Sequence, residues 1–208
     1  MLEYVRQSPV TTTILVLTIV TSLFDFWTNF SLQPKFILHP FSVVFRRQWH
    51  RIFTSALLHG NYFHLLINMF VFESFASALE RYQFLPSFHL ALVYILSVAG
   101  GSIPLLIQHY KNENYYALGA SGGVSGVVFS LIAFRPLERF FLWGIFPLPA
   151  WSYALLFVFF SYYLEKKYLD NVAHSAHLWG AFSGFFVTFL LTPGLWQQFI
   201  ESLGALLQ

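Results

Sequence analysis

This chain has 208 residues, of which 57% are hydrophobic, 21% aromatic and only 10% charged, with a formal net charge of +2. Soluble domains carry about 25% charge, so this composition, with a mean hydropathy of +0.61, excludes an ordinary soluble domain, and the small net charge argues against a nucleic-acid partner. With no cysteine, disulfides and thiolate metal sites are excluded.

Six windows lack Asp, Glu, Lys and Arg: 7–24, 52–72, 82–110, 114–134, 140–164 and 171–200. Each is long enough for a membrane-spanning helix, which takes roughly 17–25 residues. The charged knots between them, such as ERY near 80, KNEN at 111, RPLER at 135 and EKKYLD at 165, read as loops. No small-residue cleavage site follows the first window, so it reads as a retained helix and not as a signal peptide. Residues 31–51 hold Pro34, Pro40, Trp49 and three arginines among Phe and Val; a basic, aromatic stretch of this kind suits the membrane interface. There is no internal repeat. The expectation is an all-α membrane protein, a six-transmembrane-helix bundle in which residues 1–208 form one domain with no soluble domain.

Polar groups inside hydrocarbon are costly, which makes them functional suspects. Window 52–72 contains HGNYFHLLINMF, where His64 and Asn68 lie four apart and share a helix face. His59, five residues before His64, is expected at the helix mouth beside Gly60 and Asn61. The plainer reading of such residues is interhelical hydrogen bonding. Window 114–134 contains ALGASGGVSGVVF, with Gly119/Gly123 and Gly122/Gly126 as small-residue pairs and Ser121 and Ser125 between them. Window 140–164 carries Pro147 and Pro149, which are expected to interrupt the fifth helix and make it a gate. Window 171–200 contains NVAHSAHLWGAFSG, where His177, Gly180 and Gly184 lie on nearly one face and His174 could share it.

Packing alone could account for the glycines. It leaves unexplained why a histidine heads one small-residue helix while serines stud another. Close approach of the two would bring a serine hydroxyl to an imidazole, the nucleophile and base of covalent catalysis. A triad needs a carboxylate behind the histidine. The only aspartates are Asp25 and Asp170, the latter seven residues before His177 at the membrane edge. A Ser-His dyad is therefore expected, with His64 and Asn68 as donors to a tetrahedral oxyanion.

These residues resemble the rhomboid family of intramembrane serine proteases. The family pattern is H-x4-H-x3-N on the second helix, G-x-S-G on the fourth and A-H-x-x-G-x-x-x-G on the sixth. Here it is met by His59, His64 and Asn68, by Gly119-Ala120-Ser121-Gly122, and by Ala176-His177 with Gly180 and Gly184. The resemblance runs from about residue 45 to 190. It implies a six-helix bundle with a water-filled cavity around the dyad. It also implies cleavage of single-span transmembrane proteins in or beside their helix, without cofactor or metal. By resemblance Ser121 is the nucleophile and His177 the base, and His64, Asn68 and the Ser121 amide form the oxyanion hole. His59 stands at the cavity mouth, and Arg51 pairs with Glu80. The expected partners are those substrates and the lipid bilayer, not nucleic acid. The expected location is a bacterial inner (cell) membrane, with both termini cytoplasmic. That orientation puts Arg6, Arg81, Arg135 and Arg139 inside against seven Lys and Arg outside, opposite to the positive-inside rule.

Two features depart from the pattern. The Trp usual before the arginine is His50, with Trp49 one earlier. GVSG also satisfies G-x-S-G, and many members carry an aromatic four residues after the nucleophile; Ser125 has Phe129 there, Ser121 has Ser125. Ser125 is thus the alternative nucleophile. The helix should start near Ala120, leaving the Ser121 amide without an intrahelical partner and free for an anion, which favours Ser121. Rival readings are a metal-dependent membrane enzyme using His59, His64, His174 and His177, a catalytically inactive rhomboid-like client-binding protein, and a transporter.

Overall fold

The computed structural model describes residues 2–142, 145–167 and 173–207. Each charge-free window holds one long helix. A short helix α1 (Leu2–Gln7) leads into α2 (Pro9–Trp27), whose first position is proline, where the missing N–H costs nothing. Helix α2 buries Thr11, Thr18, Ser22 and Asp25 and turns Val16, Leu17, Val20 and Phe24 outward. Polar inside and apolar outside inverts a soluble helix and suits one facing lipid.

The stretch after α2 folds as short helices α3 (Gln33–Phe36), α4 (Pro40–Phe45) and α5 (Arg51–Thr54), followed by a 3-10 turn at Ser55–Leu57. Buried Arg51 ties them together: Nε donates to Gln48 Oε1 (2.6 Å), Nη1 to the Ile37 carbonyl (2.9 Å) and Nη2 to the Pro34 carbonyl (2.9 Å). The expected Arg51–Glu80 pair does not form. Glu80 lies a whole helix away, near the end of α6 (Tyr62–Arg81). Its carboxylate accepts from Val10 N (3.2 Å), Thr11 N (2.8 Å) and Thr11 Oγ1 (2.6 Å). It thereby satisfies amides that the first turn of α2 cannot pair internally. Ser8, the N-cap of α2, makes no such bond itself.

Helix α7 (Ser87–His109) and α8 (Ser121–Phe134) follow. Every residue of α8 from Gly123 to Ala133 is buried, with α6, α7 and the later helix α10 (His174–Leu191) packed around it. Fourteen residues make about 21 Å of helix, against roughly 30 Å of hydrocarbon. The central helix therefore stops short of one face, and Leu38 and Ala117 exchange backbone hydrogen bonds (3.0 Å each) to hold the segment before it.

The fifth window differs from expectation. Residues Arg139–Leu142 (β1) and Phe146–Pro149 (β2) form an antiparallel hairpin in the register Arg139↔Pro149 to Leu142↔Phe146, and α9 spans only Ala150–Lys167. Pro147 and Pro149 thus stand before the helix and do not interrupt it. A two-stranded hairpin tolerates them because each strand has a free edge where no N–H is needed. Helix α10 (His174–Leu191) follows, then α11 (Leu195–Gly204) at a bend of 114°. Among the described residues α2, α6 and α7 are long and apolar enough to cross a membrane, and the bent pair α10–α11 counts as a fourth span if taken together. The molecule is a mostly helical integral membrane protein.

Candidate active site

Two glycine pairs set the site. A Cβ on Gly180 would fall on the Gly122 backbone, and one on Gly184 on the Gly126 backbone. So α8 and α10 pack backbone against backbone, as their small-residue spacing predicts. Of the glycine pairs on α8, Gly122/Gly126 faces α10, whereas Gly123 packs against Tyr94 and Val98 of α7. Gly101 on α7 also belongs to this contact: a Cβ there would lie 2.7 Å from the Ala176 carbonyl oxygen. The sequence signal for this third helix is Gly100-Gly101 within a charge-free window.

Ser121 is the first residue of α8, with Ala120 as N-cap. The first backbone bond of the helix runs from Val124 N to the Ala120 carbonyl (2.9 Å). The Ser121 amide therefore precedes the helical ladder and keeps its hydrogen for another acceptor. Ser125 lies one turn inside the ladder and is 9% exposed.

Gly119 has φ of +119°, a conformation that L side chains rarely adopt. The space a side chain would need there is taken by His64: a Cβ would lie 2.7 Å from its Cε1 and 3.0 Å from its Nε2. His64 sits in the first turn of α6, where its amide donates to Asn61 Oδ1 (2.8 Å) as an N-cap bond. One turn on, Asn68 Nδ2 donates to the His64 carbonyl (2.9 Å) and retains its second hydrogen.

His59 is not at the cavity mouth. It is fully buried, before α6 and behind the turn into α8. Ser22 Oγ donates to the Leu57 carbonyl (2.8 Å), so it receives the Nδ1 hydrogen of His59 (3.0 Å). Nε2 then accepts from Ala120 N (3.5 Å). Those roles define a neutral imidazole with its proton on Nδ1. The ring stands edge-on to His64 at 4.9 Å between centroids. His59 is a support under the residue before Ser121.

A cavity of about 1100 Å³ gathers Ser121, His177, His64 and Asn68 on one wall system, with Gly119 and Gly122. A smaller one of about 150 Å³ lies between α6 and α9 over α8; Val71, Ser125, Phe129, Tyr153 and Phe157 line it together with Ser121 and His177. His174 opens α10 with its ring 6.0 Å from that of His177. The four histidines of the metal reading do not converge: among the described residues no three of His, Asp and Glu are placed to hold a metal ion. Asp170 lies outside the described residues. One carboxylate does reach the site: Glu165, which the charge pattern places in a loop, stands in the last turn of α9 and lines the larger cavity.

The Rhomboid domain family matches residues 46–194. A Bacillus subtilis (strain 168) protein provisionally named rhomboid protease YdcA is 33% identical over 202 residues, 90% of each chain. RHOMBOID-like protein 5 of Arabidopsis thaliana is 28% identical over 142 residues, 68% of this chain and 43% of that protein. An uncharacterized derlin-like protein of Schizosaccharomyces pombe is 26% identical over 167 residues, 80% of this chain and 65% of its own length. The chain thus spans most of the bacterial relative and less than two thirds of the two eukaryotic ones. Motifs on three helices, the glycine contact that joins two of them and a family match over more than two thirds of the chain agree, and the protein belongs to the rhomboid family.

Proposed function

We propose that this rhomboid-family protein is an intramembrane serine endopeptidase that cleaves single-span membrane proteins in or near their transmembrane helix. In this reading α2, α6, α7, α8, α9 and α10 are its six spans. The whole chain works as one transmembrane unit in a bacterial cell membrane, without cofactor or metal. One observation carries the reading. Ser121, at a helix start with an amide outside the ladder, shares a cavity with His177, His64 and Asn68.

The chemistry follows from the groups present. Ser121 Oγ attacks the scissile carbonyl carbon as His177 takes its proton. The resulting oxyanion accepts hydrogen bonds from the Ser121 amide, Asn68 Nδ2 and the His64 ring. Collapse breaks the C–N bond, and His177 returns the proton to the leaving amine. Water, entering through the 1100 Å³ cavity, then attacks the acyl-serine with His177 again as base, and releases the acid. The 150 Å³ cavity between α6 and α9 gives a substrate helix a lateral path to Ser121.

The test is cleavage of a single-span substrate in liposomes by wild type, Ser121→Ala, Ser125→Ala and His177→Ala, each checked for fold. Ser121→Ala and His177→Ala should be inactive, while Ser125→Ala still cuts. Loss in Ser125→Ala alone would move the nucleophile one turn along α8. Equal cutting by all four, or none by any folded protein, would sink the protease reading.

A further inference from the structure

Helix α10 begins without a cap of its own. Its N-cap residue is Ala173, which has no side-chain acceptor, and the amides of a first turn need acceptors from outside the helix. Ala176 N and His177 N find the Ala173 carbonyl (3.0 and 3.3 Å). Ser175 N instead donates to Glu165 Oε2 at 2.9 Å. A carboxylate from the end of α9 thus does what Asp or Ser at the N-cap does elsewhere, and its charge suits the positive end of the helix dipole.

This turn carries His177, two residues beyond Ser175. On one side it is fixed by glycine contacts, the Ala176 carbonyl lying against Gly101 and Gly122. On the other it is fixed by Glu165. The nearest basic neighbour in sequence, Lys166, places its Nζ 4.6 Å from the Tyr162 ring centroid.

We propose that Glu165 is a positioning residue for the reaction: it ties the first turn of α10 to α9 and thereby sets the imidazole of His177 against Ser121. It does not touch the reacting atoms. The proposal rests on the protease reading for its consequence, and its hydrogen bond can be tested without activity. Because the tie starts from α9, the geometry of the dyad depends on where that helix stands.

The experiment uses the full chain in liposomes, comparing wild type, Glu165→Gln and Glu165→Ala. Three quantities are read: the rate at which a fluorophosphonate labels serine, kcat and KM for a single-span substrate, and amide hydrogen exchange over residues 174–178. Glu165→Ala should lower labelling and kcat about tenfold or more, leave KM within about twofold, and speed exchange in that segment. Glu165→Gln, whose side-chain carbonyl still accepts from Ser175 N, should recover most of all three. Unchanged exchange in Glu165→Ala, or equal losses in the Gln and Ala variants, would overturn the proposal. A wild type that neither labels nor cuts while exchange still responds to Glu165→Ala would leave the tie standing and remove the protease reading.

Discussion

At the scale of single residues, Gly119 and His59 show what spacing can and cannot reveal. The positions of His59, His64 and Asn68 mark a polar helix face in any reading of the sequence. Their partners do not follow from it. Ser22, which fixes the His59 tautomer, comes from a helix 37 residues earlier, and only the fold brings it there. Gly119 is the opposite case, since a glycine two residues before a candidate nucleophile invites a backbone explanation. Its φ of +119° and the His64 ring standing where its Cβ would be provide one. A Gly119→Ala variant must meet both constraints. Backbone strain of about 1–3 kcal/mol adds to displacement of an imidazole 2.7 Å from the new Cβ. If His64 is an oxyanion donor, fluorophosphonate labelling of Gly119→Ala should fall by roughly a hundredfold in protein that remains folded. Gly60→Ala is the control, because a Cβ there meets only Leu118 at 3.9 Å and should label like wild type. Wild-type labelling in Gly119→Ala would remove His64 from the oxyanion hole.

Among whole elements, the six long helices were legible because charge is so scarce that each helix shows as a gap between charges. The hairpin at 139–149 was not, because an apolar window looks the same whether it holds helix or strand. Pro147 and Pro149 were the clue, read as a kink within a helix when they mark its beginning. Long-range polar pairing was least legible. Glu80 was assigned to Arg51 by resemblance, yet it caps α2 while Arg51 clamps the loop of α3, α4 and α5. The two sets of partners are separate, and this has a measurable consequence. Glu80→Ala strands two amides and a hydroxyl at the start of α2 and should cost about 1–3 kcal/mol, read as a lowered unfolding midpoint in detergent. Glu80→Gln keeps an acceptor and should lose less. In the double variant with Arg51→Ala the losses should add, as they do for sites without shared partners. A coupling energy of about 1 kcal/mol or more would mean that the two residues interact after all.

For the whole molecule, the packing around half-buried Ser121 limits, in the proposed protease reading, how a substrate helix could reach it. The central helix is wrapped by α6, α7 and α10, and the tight glycine contacts on its α10 side leave no room there for a further chain. Between α6 and α9 the packing is looser, and the 150 Å³ cavity at Val71, Tyr153 and Phe157 reaches both Ser121 and His177. A substrate helix arriving from the bilayer would enter by parting those two helices, while a small reagent in water could use the 1100 Å³ cavity. The two routes can be separated, because the chain has no native cysteine and an introduced pair can be cross-linked cleanly. Joining Val71→Cys on α6 to Phe157→Cys on α9 with a short reducible bis-thiol reagent should abolish cleavage of a single-span substrate. Labelling of Ser121 by a fluorophosphonate should stay near the uncross-linked rate, and reduction should restore cleavage. If the cross-linked protein still cleaves at the wild-type rate, α6 and α9 do not form the entrance. If labelling is lost together with cleavage, the cross-link has instead shifted α9 and, through the tie between α9 and α10 at Glu165, the dyad itself. Relocating the pair farther from that end of α9 should then recover labelling while cleavage stays blocked.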